Sequence, residues 1–279
     1  MLFHKPDSAD LAALSAWATV LPGASASEDY AHDEMTEYGA FAPDALALCE
    51  SAEGVAKVLG YCAQKNIAVT PRGAGTGLCG GAVPIHGGVV LSLERMNRIL
   101  EIDENTMTAT VEPGVLLSDF IREVEARGLF YPPDPGEKTA TLGGNAMTNA
   151  GGMRAVRYGV TRDYVLGMQV ALPSGELLDL GGKVVKTSSG YSLLSLLVGS
   201  EGTLGIVTKL VLKLLPMRLK RYGLVVTGSE VFHGRIRDTF TGVILEKLGE
   251  YGCEMAFHTV LDDDPAAITA AITDMLDRG

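Results

Sequence analysis

Five glycines fall within the nine positions 73–81 of the run TPRGAGTGLCGG (residues 70–81), and Gly75-Thr76-Gly77-Leu78-Cys79-Gly80 fits the G-x-G-x-x-G spacing of a nucleotide-binding loop. In the usual dinucleotide-binding unit that loop opens a helix whose first N–H groups face a pyrophosphate. Here Gly80 is followed by GAVPIHGGVVLSL, where three glycines and a proline in eight residues preclude a helix start and a β-branched strand follows. The Rossmann reading fails on this context. What survives is main-chain physics: successive unhindered N–H groups in a turn form an anion-cradling nest that needs no helix dipole, and Arg72 adds charge beside it. The competing reading of this segment alone is a glycine-rich surface loop with no ligand.

Two further stretches share its character. Residues 132–152, PPDPGEKTATLGGNAMTNAGG, carry two Gly-Gly pairs among hydroxyl and amide side chains, and residues 199–206, GSEGTLGI, form a third glycine turn between apolar segments. Glycine held in ordered positions loses more conformational entropy than any other residue, so three such loops serving only as connectors would be costly. Three turns converging on one extended ligand explain them, through main-chain amides and with no helix end to assist.

The elements that must position these turns read as follows. A helix is expected over 8–21, a strand over 44–50, a helix over 51–66 with Ser51 as N-cap, and a strand over 67–73 that runs into the first glycine turn. Strands follow at 87–96 and 108–114, then a helix at 116–128 with Gly128 as C-cap. A hairpin spans 165–180 with Pro173-Ser174-Gly175 at its turn. Residues 193–216 give a short helix, a glycine turn and a long apolar strand. The fold class is α+β. PMRLKRYG (216–223) then packs a proline, three basic residues and a glycine into eight positions, and a boundary is placed near 217–220. Beyond it the pattern alternates β-α-β-α. A parallel sheet of two strands covered on one side buries too little to stand alone, so the segment is expected to be incomplete.

Bulk properties narrow the partners. The chain has 279 residues, 34 acidic and 23 basic, for a net charge of −11. That argues against nucleic acid, whose phosphates need a basic surface. Cys49, Cys62, Cys79 and Cys253 form no C-x-x-C, so neither a disulfide framework nor a metal site is expected. The N-terminus lacks a signal-peptide h-region, and no apolar run reaches membrane-spanning length. A cytoplasmic protein, or one peripheral to the inner face of the membrane, is expected. The five histidines (His4, His32, His86, His233 and His258) form no H-x-H group, and no catalytic base is assigned.

Taken in order, VTPRGAGTGLCGG, PPDPGEKTATLGGNAMTNAGGMRAVRYG and VVKTSSGYSLLSLLVGSEGTLGIVT resemble the FAD-linked oxidase family of the p-cresol methylhydroxylase (PCMH) or vanillyl-alcohol oxidase type. The likeness is strongest to the FAD-binding subunit of glycolate oxidase and to the D-lactate and D-2-hydroxyglutarate dehydrogenases, and it covers 38–217. It implies an FAD-binding domain of two α/β subdomains. It further implies oxidation of a 2-hydroxy acid to a 2-oxo acid by hydride transfer to flavin N5, with electrons passing to a quinone, a carrier protein or oxygen. By the same resemblance Arg72, Gly73, Ala74, Gly75, Thr76, Gly77 and Leu78 cradle the FAD pyrophosphate. Asp134, Pro135, Thr139, Thr141 and Leu142 line the path toward the flavin, with Gly144 in the same cofactor-binding set. Asn149, Ala150, Gly151 and Gly152 lie against the isoalloxazine, and Glu201, Gly202, Ile206 and Val207 near the ribityl or adenosine portion.

Many relatives tie the flavin to a histidine just after the first glycine turn. This chain offers only Cys79 and the more distant His86 there, so non-covalent FAD is expected. The family's C-terminal substrate cap is not expected within these 279 residues. In its place residues 223–279, through TGSEVFHGRIRD and DDDPAAI, resemble the start of a molybdopterin-binding domain. There Thr227, Gly228, Ser229 and Glu230 would form an oxyanion-binding turn. The expected organisation is an N-terminal helical segment at 1–37, a PCMH-type FAD-binding domain at 38–217, and an incomplete α/β segment of a three-layer domain at 218–279. Two alternatives stand beside the enzyme reading: a non-catalytic FAD-binding subunit that needs a partner chain, and a fusion with a molybdenum-cofactor protein.

Overall fold

A computed structural model describes residues 3–35, 37, 39–184, 186–188, 190–217, 220–250 and 253–277. It divides into two compact units, one ending at Pro216 and the other beginning at Met217. Among the described residues no helix is long and apolar enough to cross a membrane.

The first unit opens with α1 (Ser8–Leu14), closed by a capping box. The Asp7 carboxylate accepts from the N–H groups of Ala9 and Asp10, and Asp10 accepts in return from the Asp7 N–H at 3.0 Å. The helix expected to reach residue 21 stops at Leu14. The β-branched Thr19 and Val20 find antiparallel partners instead, so Thr19–Pro22 becomes β1. Next come β2 (Ala45–Leu48), α2 (Ala52–Gln64), β3 (Val69–Arg72) and β4 (Val89–Ser92). They assemble a sheet in the order β1-β2-β4-β3, parallel except at β1. Ser51 caps α2 as expected, its Oγ accepting from the Gly54 N–H at 3.1 Å. Val55, Val58, Leu59 and Cys62 on one face of α2 are buried with Ala45, Ala47, Val89 and Leu91 of the sheet.

The rest of this unit forms a second sheet. Its elements are β5 (Ile99–Asp103), β6 (Thr108–Val111), α3 (Leu117–Glu125), β7 (Leu129–Phe130), α4 (Leu142–Met147), α5 (Ala155–Tyr158), β8 (Val165–Ala171), β9 (Leu177–Gly181), α6 (Leu193–Leu197), β10 (Ile206–Lys213) and β11 (Leu215–Pro216). Five of these strands pair antiparallel in the order β5-β6-β10-β8-β9. Leu117, Phe120 and Val124 of α3 bury one face among Val111, Tyr131, Leu210 and Leu212. The periodicity that predicts α3 and the hairpin turn before β9 hold, whereas β5, α4 and α5 had no expectation in the sequence. Because α2 packs on β8, β9 and β10 as well as on its own sheet, the two sheets share a helix, and the ends of β3 and β10 face a common space.

The second unit pairs β12 (Lys220–Thr227) with β13 (Cys253–Leu261) in parallel. The helices α7 (Ser229–Phe232), α8 (Phe240–Glu250) and α9 (Pro265–Asp277) connect and cover them. The β-α-β-α order read from the sequence is present, with α7 as an added turn. Gly223 admits the close approach of α9: a Cβ there would stand 2.1 Å from Met275 Cε. The fold class is α+β.

Candidate cofactor site

Three turns distant in the sequence meet around one cavity of about 460 Å³ in the first unit, within the roughly 300–1,000 Å³ typical of cofactor sites. Arg72, Gly73, Ala74, Gly75, Thr76, Gly77 and Leu78 form one wall as the chain leaves β3. Pro135, Thr141, Gly144, Asn149, Ala150 and Gly151 form a second, and Glu201, Gly202, Ile206 and Val207 a third, where the turn after α6 enters β10. All of these were anticipated.

The walls are locked where glycine backbone closes on a neighbouring side chain. A Cβ on Gly73 would stand 2.3 Å from Thr141 Oγ1, and one on Gly202, at φ +78°, 2.5 Å from Pro71 Cγ. Thr141 is also the N-cap of α4, its Oγ1 accepting from the Gly144 N–H at 3.2 Å. A helix end therefore does border the cavity, against the expectation of none. The sequence hid it because LGGNAM lacks apolar periodicity and places two glycines in the first turn. Asn149 and Glu201 hold the left-handed conformation at φ +50° and +52°, uncommon for residues with a Cβ. Asn149 Oδ1 accepts from the Arg162 N–H at 2.9 Å, and the Glu201 N–H donates to the Met147 carbonyl at 2.9 Å.

Four anticipated residues, Asp134, Thr139, Leu142 and Gly152, do not line the cavity. Leu142 is 1% exposed and belongs to the core of the second sheet. Thr139 gives both its N–H and its hydroxyl to Glu137. Asp134 is buried between Lys138 and Arg154. Burial pushes the Asp134 carboxyl up, but the Lys138 ammonium and the Arg154 charge outweigh it and hold it below the usual carboxylate range. Gly152 bridges to Asp134 through the backbone. His86 packs at a tilt against Phe3, 5.2 Å between ring centroids, and does not line the cavity.

Arg72 is 6% exposed. Its Nη1 donates to the His32 carbonyl at 2.6 Å, and its guanidinium lies 5.4 Å from the Tyr30 ring centroid. Burial lowers the Arg72 pKa, partly offset by Tyr30, Asp33, Asp29 and Glu94. Burial and the hydrogen bond to Glu94 push the Tyr30 phenol up to about 12. Sequence reasoning missed Asp33, Glu137, Asn145 and Met147, which also line the cavity. Asp33 lies in a polar stretch where burial has no local signature; Asn145 and Met147 belong to the unanticipated α4.

The arrangement offers main-chain amides and one buried guanidinium to an anionic group, with apolar side chains such as Leu93, Pro113, Ile206 and Val207 for a flat ring system. That donor set fits FAD. In the second unit, by contrast, the donors of Ser229 beside Gly228 are already engaged. The Ser229 hydroxyl donates to Asp262 and its N–H to Asp263 at 3.3 Å, so two carboxylates stand at the Ser229 end of the expected oxyanion turn.

Comparisons with known proteins point to the same cofactor. Residues 43–181 match the family model of an FAD binding domain, and residues 223–279 that of a probable molybdopterin binding domain. The chain is 57% identical over 197 residues to a D-lactate dehydrogenase of Anaerostipes hadrus, covering 71% of this chain and 42% of that protein. It is 50% identical over 188 residues to glycolate oxidase subunit GlcD of Bacillus subtilis (strain 168), covering 67% and 40%. The chain thus spans less than half the length of these curated relatives. The crystal structure of 6-hydroxy-D-nicotine oxidase from Arthrobacter nicotinovorans superposes with a TM-score of 0.61 over 71% of this chain and 42% of that one, at 24% identity, which speaks to the fold alone. Two of the three glycine turns that close on this cavity, at 72–78 and 141–151, lie within residues 43–181, the segment that matches the FAD binding domain model, so this part of the chain is similar to the FAD-binding domains of PCMH-type, FAD-linked oxidases.

Proposed function

We propose that the chain is the FAD-holding part of a flavin-dependent oxidoreductase that converts a 2-hydroxy acid into a 2-oxo acid, of the glycolate oxidase or D-lactate dehydrogenase type. The carrying observation is the meeting of the 72–78, 141–151 and 201–207 backbones around one cavity. When bound, the flavin supplies a hydride-accepting N5. The chain's own share is binding and orientation. Gly73 to Leu78 offer main-chain N–H groups to the pyrophosphate, and Arg72 supplies positive charge. Pro135, Thr141 and Gly144 border the way to the ring, Asn149 to Gly151 face it, and Glu201, Gly202, Ile206 and Val207 hold the ribityl or adenosine portion. Asp134, Thr139, Leu142 and Gly152 act indirectly by fixing the second turn. On this reading 1–37 is an N-terminal segment, 38–217 the FAD-binding domain and 218–279 a molybdopterin-binding-like segment. The electrons leave to a quinone, a carrier protein or oxygen.

The test is a bound-flavin absorption spectrum, an FAD titration, and turnover of glycolate and D-lactate with an artificial electron acceptor. Bound FAD with turnover supports the proposal. Colourless protein that takes up no added FAD refutes it. Bound FAD without turnover favours the alternative of a subunit that needs a partner chain, and pterin binding on titration would favour the fusion reading.

A further inference from the structure

Asp33 is 3% exposed, lines the cavity, and has one carboxylate oxygen with no hydrogen-bond partner. Its other oxygen, Oδ1, accepts from the Met35 N–H at 2.9 Å. The next residue ties this segment to the first glycine turn, the Glu34 N–H donating to the Gly77 carbonyl at 3.1 Å. A Cβ on Gly77 would stand 3.7 Å from the free Oδ2. The nearby cation, Arg72, directs Nη1 to the His32 carbonyl instead. A buried carboxylate oxygen without a donor is destabilising, and native proteins keep such groups where something else completes them.

We infer that Asp33 is a cofactor-binding residue whose Oδ2 accepts a hydrogen bond from a sugar hydroxyl flanking the pyrophosphate of the bound dinucleotide. This rests on the FAD reading above. The glycine turn beside Asp33 is built for phosphate, and a phosphate oxygen cannot donate to a carboxylate. The hydrogen-bond donors nearest the pyrophosphate are the hydroxyls of the ribose on one side and of the ribityl chain on the other. A buried acid reading a sugar hydroxyl next to an amide-lined turn has a chemical parallel in Rossmann sites, although the backbone frame here is different.

The test uses the full chain with Asp33→Asn, whose amide oxygen can still accept from the Met35 N–H, and Asp33→Ser as a second variant should the first not fold. FAD, FMN and ADP are titrated separately, and the ligand-free proteins are melted. Loss of the accepting carboxylate oxygen predicts FAD binding weaker by roughly tenfold or more, with ligand-free melting unchanged or higher because a buried oxygen without a hydrogen-bond donor is gone. Weaker FMN with unchanged ADP assigns the ribityl hydroxyl, and the converse assigns the ribose. FAD affinity within about twofold of the parent, or tighter, overturns the inference. So does a drop in ligand-free melting with FAD binding intact, which marks a purely structural acid. Failure of the parent chain to bind FAD would instead sink the function proposed above.

Discussion

Gly75→Ala probes the first turn most directly. Gly75 sits at φ +76°, and a Cβ there would stand 2.0 Å from Arg72 Nη2 and 2.4 Å from its Cζ. The guanidinium cannot simply swing aside, because it is buried, bonded to the His32 carbonyl at 2.6 Å and seated over Tyr30. A left-handed alanine costs about 1–2 kcal/mol, and losing a hydrogen bond from a charged donor about 1.5–3 kcal/mol. In the free protein the loop relieves both by leaving its conformation, so the sum, about 2.5–5 kcal/mol, returns when FAD restores it. FAD affinity is therefore expected to fall by roughly two to three and a half orders of magnitude, read by titration of flavin absorbance. Gly128→Ala is the control: φ is +68° and nothing lies within 4 Å of the added Cβ. It should lower stability by about 1–2 kcal/mol and leave FAD binding alone. A Gly75→Ala chain that binds FAD within about threefold of the parent would refute the reasoning.

Other consequences follow from the packing. Phe120→Ala removes a fully buried ring that meets Tyr131 edge-on at 5.1 Å, and denaturant unfolding should show a loss of about 3–5 kcal/mol; less than 1 kcal/mol would contradict the assigned core. Asp10 is held at about 2, below its usual value near 4, by the Asp7 N–H, the Tyr61 hydroxyl and His4. Its contribution is thus complete above about pH 4 and lost as pH falls toward about 2. Asp10→Asn should be less stable than the parent at pH 7, with the difference closing over that window; a constant difference would refute the assignment. Burial pushes the Cys49 and Cys62 thiols up to about 12, whereas Cys79 is exposed on the cavity wall. Under a thiol reagent at pH 8, peptide mapping should find Cys79 labelled and protected by FAD, with Cys49 and Cys62 unlabelled in the native state.

What the sequence disclosed follows from how locally each feature is encoded. Ser51 and the apolar face behind it announce α2 within four residues, and the Pro173-Ser174-Gly175 turn announces its hairpin. The three glycine turns were legible as turns, and their resemblance to a flavin-binding family supplied the reason for them to meet. Side-chain direction was not legible. Leu142 reads as part of a polar loop yet faces the core, because only the placement of α4 decides which way it points. Thr19–Pro22 reads as the tail of a helix until β2 offers it a partner. Asp33 carries no local mark of burial; its setting is made by the 73–81 turn folding over it from some forty positions away.

Thr141 has a consequence beyond its cap. One hydroxyl both starts α4 and stands against Gly73, so any movement of one glycine turn is transmitted to the other by steric contact. The wall they share is largely main chain, indifferent to most side-chain replacement but intolerant of a single added methyl at the points of contact. Attempts to re-engineer this cavity for a different nucleotide should therefore change loop lengths and α4 together; exchanging individual side chains along the rim would leave its shape as it is.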